Sequence, residues 1–366
     1  MTPPLPELCR SSHRLYVLCA TLTSLTCRAL QEDALQAALL TGPGLLELRD
    51  VDSPVPEAGE AAVRIRAVGI CGTDLSIFKG KIPVAYPRIM GHEMVGEVIA
   101  GPAGSPEPGT RVIVDPNVAC GRCPRCREGR ANLCRDGWLL GRDRDGGLRE
   151  IVAAPAGNLH RIPDDLEDHV APLIQVLTTC VHAQRMTEVF PGDSVVVVGL
   201  GVTGLLHVQL AKIRGAWPVV GVTRSPEKLE LARALGADVT VAAGDEDAVE
   251  RVIGATGGGA DVAIECAGTV ATLGRAVRMA RSGGRVLAYG TIAEPGGPFP
   301  FYELYYKELV VTSPRAAQAE DYPVAIEAVA SGRLRLDPLM SRRLPLEGLA
   351  DALAAGGGGL KTVVEI

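Results

Sequence analysis

After Asp193 the apolar residues fall into short β-branched runs separated by amphipathic stretches. Ser194–Val198 reads as a buried strand, followed by a helix over Val202–Arg214. Strand Trp217–Val222, helix Pro226–Leu235, strand Val239–Ala242, helix Asp245–Ile253, strand Asp261–Glu265, helix Thr269–Ala280 and strand Arg285–Tyr289 follow in turn. Strands alternating with helices predict a doubly wound parallel sheet. Upstream the texture differs. Gln36–Leu40 is the first strand-like run, and the apolar runs Ala61–Val68, Val95–Ala100 and Arg111–Val114 are short. They are broken by turn chemistry at Gly42-Pro43-Gly44, Ser53-Pro54 and residues 102–109. This stretch predicts a mostly β module. Beyond Ala316 the pattern gives one more helix, Pro323–Ser331, a Gly356–Gly359 loop and a closing strand, Thr362–Ile366.

Residues 1–34 show no periodicity. Arg10 and Arg14 ahead of Leu15–Leu25 faintly resemble a signal peptide, but Thr21, Thr23 and Ser24 dilute the apolar run and no A-x-A site follows. The reading is a disordered extension. At 366 residues, two domains are expected. A net charge of −6 gives no electrostatic reason to expect nucleic acid or an anionic membrane as partner. No uninterrupted apolar stretch is long enough to span a bilayer. Ten cysteines are too few for a disulfide scaffold. Four of them crowd between positions 120 and 134, which favours metal over oxidation and a reducing, cytoplasmic setting.

Gly199-Leu200-Gly201-Val202-Thr203-Gly204 is a G-x-G-x-x-G placed directly after a strand and at the start of a helix. Gly199 permits the tight turn, Gly201 lets the backbone approach a pyrophosphate, and Gly204 lets helix and strand pack closely. The helix N-terminus supplies N–H donors to phosphate. The next strand should end in an acid if NAD is bound, to hold the ribose 2′-OH. Here Thr223-Arg224-Ser225 stands instead, with Lys228 one turn on. A hydroxyl followed by a guanidinium suits a 2′-phosphate, so NADP is preferred, with NAD the alternative.

Cys120-x2-Cys123-x2-Cys126-x7-Cys134 offers four thiolates on one loop. A closed four-thiolate shell is a structural zinc site. A redox dithiol, an iron–sulfur cluster and a zinc-ribbon nucleic-acid module are the weaker readings. Upstream, Gly69-Ile70-Cys71-Gly72-Thr73-Asp74 and Gly91-His92-Glu93 provide one sulfur, one nitrogen and one carboxylate. That is a catalytic zinc set with an open position.

With these motifs together, the chain resembles the zinc-dependent medium-chain dehydrogenase/reductase family, of the alcohol, polyol and threonine dehydrogenase type, over residues 36–366. The resemblance implies an α/β fold: a GroES-like, mostly β catalytic domain plus a Rossmann domain with a doubly wound parallel sheet. The expected division is an extension at 1–34, the catalytic domain with its zinc lobe at 35–185, the cofactor domain at 186–315, and a return to the catalytic domain at 316–366. By the same resemblance Cys71 and His92 become ligands of a catalytic zinc, and Glu93 a ligand or exchanging near-ligand. Cys120, Cys123, Cys126 and Cys134 become the structural site. Gln175 stands where many relatives have the Glu of a Glu-Pro pair, and is expected as a ligand or water-bridged neighbour. Thr73 matches a hydroxyl beside the substrate oxygen, Thr291 a nicotinamide contact. Ser76 replaces a relay His, so a proton relay is expected to run through hydroxyl, ribose and water.

The implied activity is hydride transfer between a secondary alcohol, or the matching carbonyl, and NAD(P), with two zincs per chain. A sugar or amino-alcohol dehydrogenase is the nearest alternative, a zinc-free enone or quinone reductase a further one, and a non-catalytic NAD(P)-binding redox sensor the reading from another class. A homodimer or homotetramer is expected. Cys180 and Cys266 read as core thiols, and His160, His169, His182 and His207 as structural or exposed. Phe78, Trp138 and Tyr302 are candidate pocket residues, and 143–147 a mobile loop.

Overall fold

Four consecutive valines, Val195–Val198, are buried on both faces and form the centre of a six-stranded sheet. The computed structural model describes residues 35–356 and 359–366. The six strands lie in the order Val239–Ala242, Val219–Thr223, Val195–Val198, Ala260–Glu265, Ala280–Ala288, Val310–Thr312. Every neighbouring pair is parallel. The direction of winding reverses beside Val195–Val198, and ligands of such sheets bind at that switch, outside the carboxyl ends of the strands. The helices Val202–Ile213, Pro226–Ala234, Ala248–Ala255 and Val270–Met279 connect the strands. Two predicted boundaries move for local reasons. The second strand starts at Val219 rather than Trp217, since Pro218 has no N–H to give the ladder. The third helix starts at Ala248 rather than Asp245.

A seven-stranded sheet occupies the other module: Leu159–Arg161, Arg111–Val114, Glu93–Ala100, Glu60–Ile70, Lys361–Glu365 and Met340–Pro345 in order, with Ile151–Pro155 also paired to Glu60–Ile70. The last strand of the chain runs antiparallel against Glu60–Ile70, with Val363 opposite Gly69 and Val364 opposite Val68. A smaller sheet of Leu35–Gly42, Leu45–Val51 and Arg88–Ile89 lies alongside.

The helix Leu173–Thr187 is absent from the sequence reading. Its residues are buried all round, from Leu173, Ile174 and Val176 to Cys180, Val181 and Ala183, so no amphipathic period marks it. It belongs to one apolar cluster that runs from Ala67, Val95 and Ile113 of the seven-stranded sheet to Val195 and Val197 of the six-stranded one. The segment 143–147, expected as mobile, is tied down: Gly146 N–H donates to Ile89 O, Gly147 N–H to Gly91 O, and Asp145 accepts from Arg88. The expectations for residues 1–34, disorder and a weak signal-peptide likeness, lie outside the described residues, as do two positions of the 356–359 loop. Among the described residues no helix is long and apolar enough to cross a membrane.

Candidate active site

Strand Glu60–Ile70 runs into the short helix Gly72–Phe78 with Cys71 as its cap. Cys71 Sγ accepts the Thr73 N–H at 3.2 Å, and Cys71 N–H donates to Asp74 Oδ2 at 2.9 Å. This reciprocal cap fixes both side chains. Asp74 is fully buried, and its Oδ1 lies 3.4 Å from His92 Nδ1. Gly91, just before His92, has φ +89, and a Cβ there would meet Leu148 at 2.8 Å and Val68 at 2.9 Å. Ligand atoms of Cys71, Asp74 and His92 all lie within 4.8 Å of one another. A half-buried sulfur and a buried imidazole nitrogen at that separation fit a zinc ion. With Nδ1 turned to a carboxylate, His92 keeps Nε2 for the metal, an arrangement that fixes the ring's orientation and raises its basicity. Burial works against a charged imidazole, yet the Asp74 carboxylate and the Cys71 sulfur outweigh it and hold His92 well above its ordinary range.

Two sequence expectations are corrected. Glu93 is not beside the Cys71–His92 pair as a free carboxylate. Both its oxygens are taken by Lys361 Nζ, at 2.7 and 2.9 Å, and it is 2% exposed. Ser76 does not reach the cleft, because its hydroxyl donates to Gly72 O at 2.8 Å one turn back in the helix. Asp74 and Lys361 were missed. Asp74 carried a local signal, an acid three residues after a capping side chain. Lys361 carried none, being 268 residues from Glu93.

Thr73, Gln175, Thr203 and Thr291 line the same cleft as Cys71 and His92, a cavity of about 560 Å³. Trp138 lines it as expected. Phe78 is instead core, 7% exposed, and Tyr302 is 70% exposed on the helix Phe301–Tyr306, away from the cleft.

The four cysteines of the lobe converge. All four sulfurs lie within 4.8 Å of one another, with Cys123 Sγ 3.5 Å from Cys126 Sγ and 3.8 Å from Cys134 Sγ. A zinc–sulfur bond of about 2.3 Å gives a tetrahedron with edges of about 3.8 Å, so the spacing fits that ion. Backbone N–H groups already point at the sulfurs, Cys120 to Cys134 at 3.2 Å and Cys123 to Cys120 at 3.4 Å. Such donors, from Cys126 and Arg135, bring the Cys123 thiol down to about 6. Burial and neighbouring sulfurs push Cys126 up to about 12.

The glycine turn has the geometry its spacing predicts. Gly199 has φ +95, and a Cβ there would sit 2.8 Å from Ala267 N. A Cβ on Gly204 would lie 1.9 Å from Gly199 O, whereas one on Gly201 would meet nothing within 4 Å. Gly201 caps the helix Val202–Ile213 and faces open space at its N-terminus, which fits a dinucleotide phosphate. Thr223 ends its strand half-buried, and Arg224 beside it is exposed, with no ion-pair partner among the described residues. Lys228 N–H donates to Ser225 Oγ at 3.3 Å. The Ser225 hydroxyl itself goes to Glu227 at 2.7 Å.

Residues 57–164 match the alcohol dehydrogenase GroES-like domain, and residues 202–331 the zinc-binding dehydrogenase domain. The chain is similar to the sorbitol dehydrogenase of Bacillus subtilis (strain 168), 33% identical with 84% of this chain and 90% of that one covered. It is equally similar to the L-galactonate-5-dehydrogenase of Escherichia coli (strain K12), 33% identical with 84% and 91% covered. Among solved structures, a zinc-binding dehydrogenase from Sinorhizobium meliloti 1021 bound to NADP superposes with a TM-score of 0.85 at 35% identity, covering 91% of this chain and 99% of that one.

Proposed function

The chain belongs to the zinc-dependent medium-chain dehydrogenase/reductase family, and from that premise we propose that its cleft exchanges hydride between a secondary alcohol of a polyol or sugar-derived substrate and NADP. It is a zinc-dependent alcohol or polyol dehydrogenase that works with NAD(P). The observation that carries the site assignment is the approach of Cys71, Asp74 and His92 within 4.8 Å of one another in a cleft that Thr203 and Thr291 also line.

Cys71 and His92 hold the catalytic zinc, and Gln175 offers a neutral third ligand or a water-bridged neighbour. Zinc supplies Lewis acidity toward a substrate oxygen, and the nicotinamide accepts or gives the hydride. Asp74 sets its buried carboxylate 3.4 Å from His92 Nδ1, where its charge favours that orientation of the ring. Thr73 Oγ1 would accept the hydrogen bond of the substrate's hydroxyl and pass a proton on from its own hydroxyl to ribose and water, while Ser76, whose hydroxyl donates to Gly72 O, stays outside this relay. Ile70, Val118, Trp138 and Leu139 give the cleft apolar walls that limit water. The cysteine lobe holds the second, structural zinc. Thr223, Arg224 and Lys228 receive the 2′-phosphate.

Residues 35–185 and 316–366 form the catalytic domain in this reading, and 186–315 the cofactor domain. The setting is cytoplasmic, with neither nucleic acid nor membrane as partner. A homo-oligomer is supported by an unpaired sheet edge: Val310 and Val311 on the outermost strand are 60% and 47% exposed, beside the exposed aromatics Phe301, Tyr302, Tyr305 and Tyr306.

The test is replacement of Cys71 by Ser and His92 by Ala, with zinc content and nicotinamide reduction measured on alcohols and polyols. Each variant should lose one zinc and nearly all turnover. Full activity with one zinc missing would end the assignment, and cofactor binding without turnover of any alcohol would favour the sensor reading.

A further inference from the structure

The cleft has an uneven charge. Glu93 is its one carboxylate, and Lys361 neutralises it. Arg142 is held by Asp143 through two hydrogen bonds, at 3.0 and 2.7 Å. Arg315 is different. Its carbonyl accepts from Asn132 Nδ2 at 2.8 Å, but its guanidinium has no hydrogen-bond or ion-pair partner among the described residues.

Position narrows what such a group can serve. Asn132 sits in the turn Ala131–Leu133, directly before the ligand Cys134. The same amide lies 3.3 Å from His182 Nε2, and His182 Nδ1 is 3.1 Å from Asp321 Oδ2, both nearly fully buried. With Asn132 donating to it, His182 accepts at Nε2 and donates from Nδ1 to the carboxylate. This chain of bonds ties the Arg315 backbone to the cysteine lobe. The residue that holds its backbone, Asn132, comes from the cysteine-lobe side of the cleft, whereas Val202 and Thr203 of the glycine turn line the same cleft from the cofactor side. Arg315 is exposed on the cleft wall with only its backbone anchored, and an unpaired guanidinium in a cleft without a free carboxylate attracts an anion with planar or tetrahedral oxygens, which it can grip through two N–H groups.

We infer that Arg315 selects the substrate, and that the preferred substrate is a polyol carrying a terminal anionic group, a carboxylate or a phosphate ester. This rests on the dehydrogenase reading of the cleft given above. The anion would sit at Arg315 while the reacting carbinol lies toward Cys71 and His92. Cofactor phosphates belong at the glycine turn and at Arg224, so Arg315 is left to the substrate.

The experiment uses the zinc-loaded full chain with three six-carbon probes: sorbitol, gluconate and sorbitol 6-phosphate. Calorimetric binding to the protein holding NADPH reads affinity without turnover, and kcat/KM with NADP reads the reaction. One or both anionic probes should bind and react at least about 10-fold better than sorbitol, the factor expected of a charge-assisted hydrogen bond. Which of the two wins distinguishes carboxylate from phosphate. Arg315→Gln should erase that preference by raising KM for the anionic probe about 10- to 100-fold, with sorbitol kinetics and NADPH affinity unchanged. Arg315→Lys should restore part of it. Equal affinities for all three probes, an equal loss for charged and neutral probes in Arg315→Gln, or weakened NADPH binding in that variant would each overturn the inference. Anion-selective binding without oxidation of any probe would instead leave Arg315 assigned and count against the dehydrogenase reading.

Discussion

Lys361, on the last strand of the chain, holds both carboxylate oxygens of Glu93, at 2.7 and 2.9 Å, and also donates to Ile70 O at 3.2 Å. The two side chains are 6% and 2% exposed. The pair therefore ties the chain terminus to the strand ends that deliver Cys71 and His92. A buried pair contributes little relative to an apolar replacement, but losing one partner strands a charge at a cost of about 3–5 kcal/mol. Lys361→Met should lower the unfolding midpoint sharply, and Lys361→Met with Glu93→Gln should recover most of the loss. The check is a thermal double-mutant cycle, and additive losses would show that the pair is not coupled. A Glu93 freed by Lys361→Met could also turn to the metal, which zinc affinity would reveal as tighter binding.

The four-cysteine lobe has a separable prediction. Cys126→Ser should leave one zinc per chain and keep the zinc at Cys71 and His92. Structural zinc binding is coupled to folding, so the variant should lose several kcal/mol of stability. Elemental analysis with chemical unfolding measures both. Two zincs retained in the variant would mean that the lobe's metal does not need Cys126.

Cofactor choice turns on Arg224. Replacing it with Asp should weaken NADP binding about 10- to 100-fold, the range for a charged hydrogen-bonded contact, and improve NAD binding. Fluorescence titration with NADPH and NADH gives the two affinities. An unchanged ratio would mean that Arg224 only faces solvent and that Glu227, through Ser225, governs the ribose pocket.

What the sequence made legible was local. Val195–Val198 followed by three spaced glycines, and four cysteines within one loop, each specify a site whose residues are neighbours in the chain. The missed features depend on distant partners or on burial without a period. The helix Leu173–Thr187, which carries Gln175, is apolar all round and shows no amphipathic face. Glu93, expected as a ligand or near-ligand of the zinc, is instead paired with a lysine 268 residues away, which no spacing rule can supply. Ser76 was misplaced for a smaller reason. A helical serine can return its hydroxyl to the carbonyl four residues back, and this one does.

Acid stability should be set in part by two neutral histidines. His207 is fully buried, with Gln184 Nε2 3.1 Å from its Nδ1 and its ring edge-on to Tyr289 at 4.7 Å. Burial, then the charge of Arg214, lowers its pKa to about 3. His160 stacks on Tyr322 at 4.1 Å, and burial lowers it to about 4. Both titrate near about 6.5 once unfolded. Between those values the unfolded chain binds more protons than the fold, so stability rises with pH. Their contribution is complete above about pH 6.5 and is lost as the pH falls through 4 and then 3. Asp115 works the other way. Burial raises it to about 6, so the fold keeps a proton that the unfolded chain has released, and acid favours the fold in that window. Two histidines displaced downward outweigh one carboxyl displaced upward, and the net effect is acid destabilisation. His207→Gln keeps an amide for Gln184 to meet and removes the titration. Relative to the parent it should flatten the pH dependence of stability between about pH 3 and 6.5, by about 1.4 kcal/mol for each unit its histidine was lowered. Because both proteins carry the same zinc sites, metal loss in acid cancels in the comparison. Parallel pH profiles for the two would show that His207 is protonated in the fold.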